Sequence, residues 1–299
     1  MKVSDLFRRW SVVALLITVG HLLFGNIVSG TDSGMGCGPE WPLCRGQLLP
    51  PWSDPALVIE WVHRLFALLV GGSIVVLALI AWRRERDKAL LVWLAMVSLV
   101  LVVVVAILGG MTVLLDLPVA LSTAHFGLGT LLFMLLVVLA AKAHTLASSP
   151  SQGDTHRWAL LAVILLYIQA LLGAYVRHSQ AGMALPLWPF LTFFPSLAVG
   201  PLASHWAHRA LAVIIAGVVA FTAVRAGKSG HMVLGVSSGA LVLVQIALGM
   251  LTVATRLDPF VAMLHLAGAL ALLGTQLVLV VRTWPMSAYV PLKGEAQAS

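Results

Sequence analysis

Four of the ten histidines recur at related positions in the two halves of the chain. An offset of 145 residues relates His63 to His208, and an offset of 140 relates His125 to His265. Imidazole is a common axial ligand of haem iron, and two imidazoles on facing helices can bind one iron from opposite sides. The spacing therefore predicts two haem sites, one formed by His63 and His125 and the other by His208 and His265.

Other roles for these histidines are less consistent with the pattern. A single histidine in a membrane helix usually bonds a neighbouring helix, but repetition at matched depth favours a metal. Zinc would need three or four ligands on one ion, whereas these residues pair within each half. No Cys-x-x-Cys-His segment occurs, so a haem would be held without covalent attachment. His21, His178 and His205 receive no ligand role, and His21 is expected to make a packing or helix contact.

Charged residues beside the candidate ligands suggest further chemistry. Glu60 lies three residues before His63, so both project from one helix face, where a carboxylate could accept protons during oxidation of a haem. A solvated glutamate at the membrane interface is the alternative. The repeat places His205 where the first half has Glu60, which predicts chemistry in the first half and electron transfer in the second. Arg64 and Arg209 follow candidate ligands directly and could contact haem propionates or simply extend to the interface.

The two cysteines, Cys37 and Cys44, both fall in the first loop between apolar segments. The six intervening residues include glycine and proline, so the chain can turn back and bring the sulfur atoms together. A structural disulfide is the favoured interpretation, since the compartment outside the membrane oxidises thiols. A redox-active pair and a free, inert pair are the alternatives.

The composition predicts an all-α integral membrane protein. Hydrophobic residues make up 60% of the chain and charged residues 10%, with a mean hydropathy of +1.01, which excludes a soluble domain. A membrane helix needs about 20 apolar residues. Eight long segments lack Asp, Glu, Lys and Arg: 10–31, 65–82, 89–115, 117–141, 158–176, 210–224, 229–255 and 259–281. The first has no small-residue cleavage site and is expected to be a retained helix.

The distribution of basic residues predicts the orientation in the membrane. With the N-terminus in the cytoplasm, 13 of the 18 basic residues lie on the inner side, as the positive-inside rule requires. Both termini are therefore expected to be cytoplasmic, and the haem sites to lie toward the outer face. The net charge of +7 then needs no nucleic-acid partner.

An internal repeat predicts two tandem, pseudo-symmetric four-helix bundles. The segment Glu-Trp-Val-His-Arg at 60–64 matches His-Trp-Ala-His-Arg at 205–209, and Leu-Gly-Gly-Met-Thr-Val at 108–113 matches Leu-Gly-Met-Leu-Thr-Val at 248–253. Each half holds an even number of helices, so both have the same orientation about an axis along the membrane normal. The predicted division is residues 1–144, an inner linker at 145–157, and residues 158–299.

Several of these segments together resemble the haem A synthase family. They are Ser-Gly-Met-Gly-Cys at 33–37, Trp-Pro-Leu-Cys at 41–44, Ile-Glu-Trp-Val-His-Arg at 59–64, and the four matched histidines. The likeness covers essentially all eight helices and is to the bacterial type with a cysteine pair in the first outer loop. It implies a bacterial inner-membrane enzyme that oxidises the C8 methyl group of haem O to a formyl group, giving haem A for cytochrome oxidases.

The resemblance also implies roles for individual residues. His63 and His125 would ligate the substrate haem O, with Glu60 taking part in catalysis. His208 and His265 would ligate a haem b cofactor. Cys37 and Cys44 would form a disulfide, and haem O synthase would be the upstream partner. The electron acceptor, the source of the formyl oxygen and any homo-oligomer are left open.

Two other functional classes are considered. A non-enzymatic diheme b-type electron carrier would use the four histidines equally well, but it would leave Glu60 and the cysteine loop without a role. A haem transporter or chaperone would need open, exchangeable ligation. Extraction of haems from cells that also express haem O synthase would separate these classes.

Overall fold

The computed structural model describes residues 2–49, 52–144, 154–185 and 200–285. Within these ranges, the chain forms eight long helices, each long and apolar enough to cross a membrane, which confirms the predicted all-α membrane fold. The helices are α1 (Asp5–Gly30), α2 (Pro55–Arg84), α3 (Ala89–Leu114), α4 (Val119–His144), α5 (Thr155–His178), α6 (Pro201–Lys228), α7 (Met232–Ala254) and α8 (Pro259–Thr283).

The helices pack as two four-helix bundles. In the first half, α1 and α3 each pack against both α2 and α4; in the second, α5 and α7 each pack against both α6 and α8. The halves meet along α1, α4, α5 and α8 through apolar side chains, with Leu22 and Phe133 joining the same core as Leu166 and Leu270. The division at residues 144 and 158 stays a prediction, and most of the linker lies outside the described residues.

The loops at one end of the molecule repeat the same backbone conformation. We call this end, which carries Cys37 and Cys44, the cysteine-loop end. Short 3₁₀ helices at Ser33–Met35 and Ala181–Met183 each follow a residue in the left-handed conformation. The packing repeats as well, because a Cβ built on Gly34 would lie 3.1 Å from Leu117 Cδ1 and one built on Gly182 would lie 2.8 Å from Leu257 Cδ1. The weak sequence repeat therefore corresponds to a structural one.

A polar contact between the halves joins residues at the same repeat position. Arg177 on α5 donates from Nε to Ser29 Oγ on α1 at 3.2 Å and from Nη2 to the Ser29 carbonyl. Their numbers differ by 148, as do those of the two 3₁₀ helices. The pseudo-two-fold axis therefore passes between α1 and α5 near the cysteine-loop end.

Two helices that start at this end, α2 and α8, begin at acidic caps. Asp54 accepts the Ala56 N–H at 3.1 Å before α2, and Asp258 accepts the Phe260 N–H at 3.0 Å before α8. A proline occupies the first helical position of both helices, where its missing N–H is no loss. These caps fix how far the histidines of α2 and α8 lie from the helix starts.

Candidate functional site

All four predicted ligands lie on even-numbered helices at similar depths. Counted from the first residue of their helices, His63, His125, His208 and His265 are 8, 6, 7 and 6 residues further along. At 1.5 Å per residue they lie about 9–12 Å below the cysteine-loop end of each helix. His63 and His125 lie on α2 and α4 of the first bundle, and His208 and His265 lie on α6 and α8 of the second. The structure therefore places both members of each predicted pair in one bundle at similar depth.

Each of these histidines packs its ring over a glycine on the preceding helix. In the first half, a Cβ built on Gly25 of α1 would lie 3.1 Å from His63 Cε1. Likewise, one built on Gly109 of α3 would lie 2.9 Å from His125 Cε1. Both distances are too short for an ordinary contact, so only glycine leaves room for the ring.

The second half repeats this arrangement. A Cβ on Gly173 of α5 would lie 3.0 Å from His208 Cε1, and one on Gly249 of α7 would lie 3.2 Å from His265 Cε1. We call Gly25, Gly109, Gly173 and Gly249 the cradle glycines. The sequence repeat already contains Gly109 and Gly249, whereas nothing in the apolar sequence of α1 and α5 marks the other two.

The ring nitrogens are consistent with metal ligation. His125 Nδ1 lies 3.0 Å from the carbonyl oxygen of Val105, one turn before Gly109, which favours the tautomer whose Nε2 lone pair is available to a metal. Among the described residues, the Nδ1 atoms of His63, His208 and His265 are buried without a hydrogen-bond partner. Buried unsatisfied nitrogens are costly and indicate a missing interaction. Paired imidazoles that are each seated on a glycine, three of them with a buried ring nitrogen that has no partner among the described residues, fit a haem bound by two histidines.

Glu60 is buried beneath the cysteine loop. Its side chain is 4% exposed, so the alternative of a solvated interfacial glutamate is wrong. Oε2 accepts the Cys37 N–H at 2.7 Å, and Oε1 forms an ion pair with Arg64. Arg64 also donates to the carbonyl oxygens of Pro42 at 3.2 Å and Leu43 at 2.6 Å. The carboxylate is therefore held in a fixed orientation, one helical turn from the His63 ring.

The cysteines form the disulfide that the sequence favours. Cys37 and Cys44 are bonded with a Cα–Cα distance of 4.5 Å, so a free pair is excluded. Both are buried, and they pack against Leu57 and Trp61 of α2. The burial limits access by an outside thiol and favours a structural role, because the same cysteine that forms the bridge also donates its N–H to Glu60.

His205 occupies the position of Glu60 in the second half. It is buried, and its Nδ1 accepts the Leu185 N–H at 3.3 Å. Leu185 follows Cys37 by 148 residues, so the contact between loop and helix is the same in both halves. Arg209 donates to the Leu185 carbonyl, as Arg64 donates to carbonyls of the cysteine loop. This assigns His205 a contact that the sequence left open; the repeated five-residue segment was the available signal.

In each half, the first helix carries a cradle glycine, and the residue one turn before that glycine also contacts a candidate ligand. His21, four residues before Gly25, stacks on His63 with ring centroids 4.3 Å apart and planes 7° apart. Gln169, at the repeat-related position 148 residues later, donates from Nε2 to the His208 carbonyl at 2.9 Å. The predicted helix contact of His21 is confirmed, and its partner is the candidate ligand itself.

Comparison with known proteins agrees with this arrangement. The profile of the COX15-CtaA family, described as cytochrome oxidase assembly protein, matches residues 8–277. A protein named Heme A synthase from Lysinibacillus sphaericus (strain C3-41) is 33% identical over 279 residues, covering 87% of this chain and 89% of its own. One of the same name from Geobacillus kaustophilus (strain HTA426) is 32% identical over 273 residues, covering 86% and 85%. The chain therefore belongs to the COX15-CtaA family of cytochrome oxidase assembly proteins.

Proposed function

We propose that this protein is a haem A synthase, which oxidises the C8 methyl group of haem O to a formyl group and so supplies haem A for cytochrome oxidase. Membership of the family and relatives of that name over more than four fifths of the chain support the activity. The observation that carries it is an asymmetry between two otherwise matching sites. Both have a histidine pair on cradle glycines, but among the described residues only the first has a buried carboxylate beside it.

The two histidine pairs take different roles in this proposal. His63 and His125 bind the substrate haem O, and His208 and His265 bind a haem b cofactor that passes electrons. The buried Glu60 supports placing the reaction in the first half, because a proton acceptor is needed where a methyl group is oxidised. A diheme electron carrier would need the histidines alone, and would leave the Glu60 contacts without purpose.

When bound, the haem iron supplies the oxidative chemistry, and the protein supplies binding, orientation and electrostatics. The cradle glycines help to fix the histidine rings, because each ring places its Cε1 atom against a glycine of the preceding helix. Arg64 and the Cys37 N–H hold both oxygens of the Glu60 carboxylate and balance its negative charge, so the group keeps one orientation beside the site. The disulfide keeps the backbone of Cys37 in place for this contact.

The orientation and partners complete the proposal. The basic residues favour both termini in the cytoplasm of a bacterial cell, with the cysteine-loop end and both haem sites toward the outer face of the inner membrane. Arg64 and Arg209 stay candidates for haem propionate contacts; in the structure both already donate to loop carbonyls. Haem O synthase would deliver the substrate.

The test is to extract and chromatograph the haems of cells that express the protein together with haem O synthase. A haem A peak that requires both proteins is the expected result. Glu60→Gln should abolish the peak, while Glu40→Gln should not, because Glu40 is an exposed carboxylate of the same loop that bonds only the Gly46 N–H. Haem B alone from the wild-type protein would favour the electron carrier.

A further inference from the structure

The first helix of the first half carries a histidine beside the predicted haem site, whereas the first helix of the second half carries a glutamine at the same repeat position. His21 projects from α1 and stacks in parallel on His63 of α2, with ring centroids 4.3 Å apart. Its Nδ1 is buried and, within the described part of the chain, has no hydrogen-bond partner. The proposed division of roles for His63 and His125 leaves this imidazole unused.

His125 lies on α4, which packs against α1, the helix that carries His21. The stacked rings of His21 and His63 lie in the same bundle, with their centroids 4.3 Å apart. Because the rings are so close, a shift of this size would bring one imidazole to the position of the other with no change of fold.

The second half has an amide at the same repeat position. Gln169 bonds the carbonyl oxygen of His208 at 2.9 Å, and its amide nitrogen lies 3.3 Å from His208 Nε2. Among protein side chains, imidazole, thiolate, thioether and phenolate are the usual haem ligands, and a carboxamide is not one of them. The first helix thus offers a possible haem ligand in the first half and none in the second. The other histidine near His208, His205, lies one turn away and accepts the Leu185 N–H of the loop at 3.3 Å.

We propose that His21 is an alternative axial ligand, able to replace His63 opposite His125 on the iron of the haem in the first half. The inference rests on the proposed function, in which that haem is a substrate that must enter and leave while the haem b of the second half stays. One nitrogen–iron bond forms as another breaks, between two neutral imidazoles, so the exchange moves no electron and no proton. With a second imidazole, the first half can keep the iron ligated while the bond to His63 is broken.

The experiment compares variants of the purified full-length protein with ferric haem b added as the probe, read by electron paramagnetic resonance and optical absorption. Wild-type protein should show two low-spin centres. His63→Ala should keep a low-spin centre in the first half, because His21 takes over. His63→Ala with His21→Gln should lose that signal. The low-spin centre of the second half reports correct folding in these two variants, and the centre of the first half does so in variants of the second half.

The second half provides the matched control and a gain of function. His208→Ala should lose its low-spin signal outright, because Gln169 cannot replace it, and Gln169→His in that background should restore it. Loss of the first-half signal in His63→Ala alone would overturn the inference while leaving the proposed function intact. Retention of that signal in the double variant would also overturn it. Wild-type protein that binds no haem would instead remove the proposed function, and the inference with it.

Discussion

The two halves of the molecule share a scaffold and differ in the side chains placed on it. Cradle glycines, 3₁₀ helices and contacts between loop and helix recur at offsets of 140 to 148 residues. At two repeat positions the chemistry differs, with Glu60 against His205 and His21 against Gln169. All four of these side chains contact a candidate ligand or the loop above it. Backbone geometry is thus the shared part of the duplication, and a few polar positions distinguish the two sites. In the proposed function, these positions separate the site of the reaction from the site of the haem b cofactor.

The loops above the two sites sharpen this contrast. In the first half a buried disulfide joins Cys37 to Cys44, and the backbone of Cys37 holds Glu60. In the second half Leu185 takes the place of Cys37. A covalent constraint therefore accompanies the half whose carboxylate must be held in place.

Exchanging the residues at the first differing position should have the largest effect. Glu60→His gives the first half the side chain of the second, and we expect haem A formation to fall about 10²- to 10⁴-fold, the range for loss of an acid–base group. The imidazole can still accept the Cys37 N–H, as His205 accepts that of Leu185, so haem b content should not change. Chromatography of extracted haems measures both.

The reciprocal variant is the control for that exchange. His205→Glu places a carboxylate near Arg209 in the second half and should leave haem A formation close to wild type. Activity retained in Glu60→His, or lost equally in His205→Glu, would mean that the asymmetry does not locate the reaction.

The cradle glycines should show that each half holds its haem independently. Gly109→Ala places a methyl group 2.9 Å from the His125 ring, and Gly249→Ala places one 3.2 Å from the His265 ring. We expect each to weaken haem binding about 10- to 100-fold in its own half only, as loss of a ligand-orienting contact does. Haem titration followed by optical spectroscopy gives the affinities.

A third glycine tests whether the effect is specific to the cradles. Gly72 on α2 has open space where a Cβ would lie, so Gly72→Ala should leave both affinities unchanged and favour the helix slightly. Equal losses from all three alanine variants would indicate general damage to the bundle rather than displaced rings.

Removing the disulfide should weaken the first half alone. The disulfide closes a loop with a sequence separation of 7. The entropy that this removes from the unfolded chain corresponds to about 2.5 kcal/mol of folding free energy. With Cys37→Ser and Cys44→Ser, we expect local unfolding of the loop to become easier and the turnover of haem O to fall, because Glu60 loses its fixed donor. Haem b at His208 should be retained. Hydrogen exchange of the loop amides and the yield of haem A measure the two effects. Faster exchange with an unchanged haem A yield would mean that the order of the loop does not affect the reaction.

Much of this arrangement could be predicted from the sequence, because its signals are local and repeated. Charge-free runs mark the eight helices, and two five-residue segments relate His63 to His208. The start of α6 was not visible in this way, since its charge-free run begins at residue 210 while the helix begins at Pro201. Arg209 lies inside the helix, where its guanidinium donates a hydrogen bond to the Leu185 carbonyl.

The remaining features depend on packing between distant segments. Gly25 and His21 lie in an apolar helix, where neither composition nor periodicity shows which residues face His63. The burial of Glu60 depends on a loop that folds back over α2, and a spacing of three residues from His63 is equally consistent with exposure to solvent. The contacts of Gly25 and Glu60 recur at Gly173 and Leu185 in the second half, and this recurrence in the structure indicates that they are not accidental.

At the end of the bundles away from the cysteine loop, we expect the smallest difference between the two halves, and it is a difference in stability. In the first half, Glu85 just beyond α2 is fully buried, accepts the Ser4 N–H at 2.9 Å and pairs with Lys88 at 3.0 Å. In the second half, Asp154 pairs with Arg225, but their side chains are 41% and 35% exposed. Exposed ion pairs contribute at most about 1 kcal/mol, whereas a buried carboxylate that accepts hydrogen bonds contributes more.

Replacing each carboxylate by its amide should reveal this difference as a function of pH. Burial alone would raise the pKa of Glu85, but hydrogen bonds from Ser4 and Lys88 outweigh it and lower the pKa below its ordinary value near 4.5. Its contribution is therefore complete above that value and is lost as the pH falls through the lower pKa of the folded state. At pH 7 we expect Glu85→Gln to cost about 1–2 kcal/mol and Asp154→Asn less than about 1 kcal/mol. Thermal unfolding in detergent at pH 7 and pH 4 measures both. Wild-type protein should lose part of its advantage over Glu85→Gln at the lower pH, and a constant gap would mean that the charge of Glu85 does not stabilise this end.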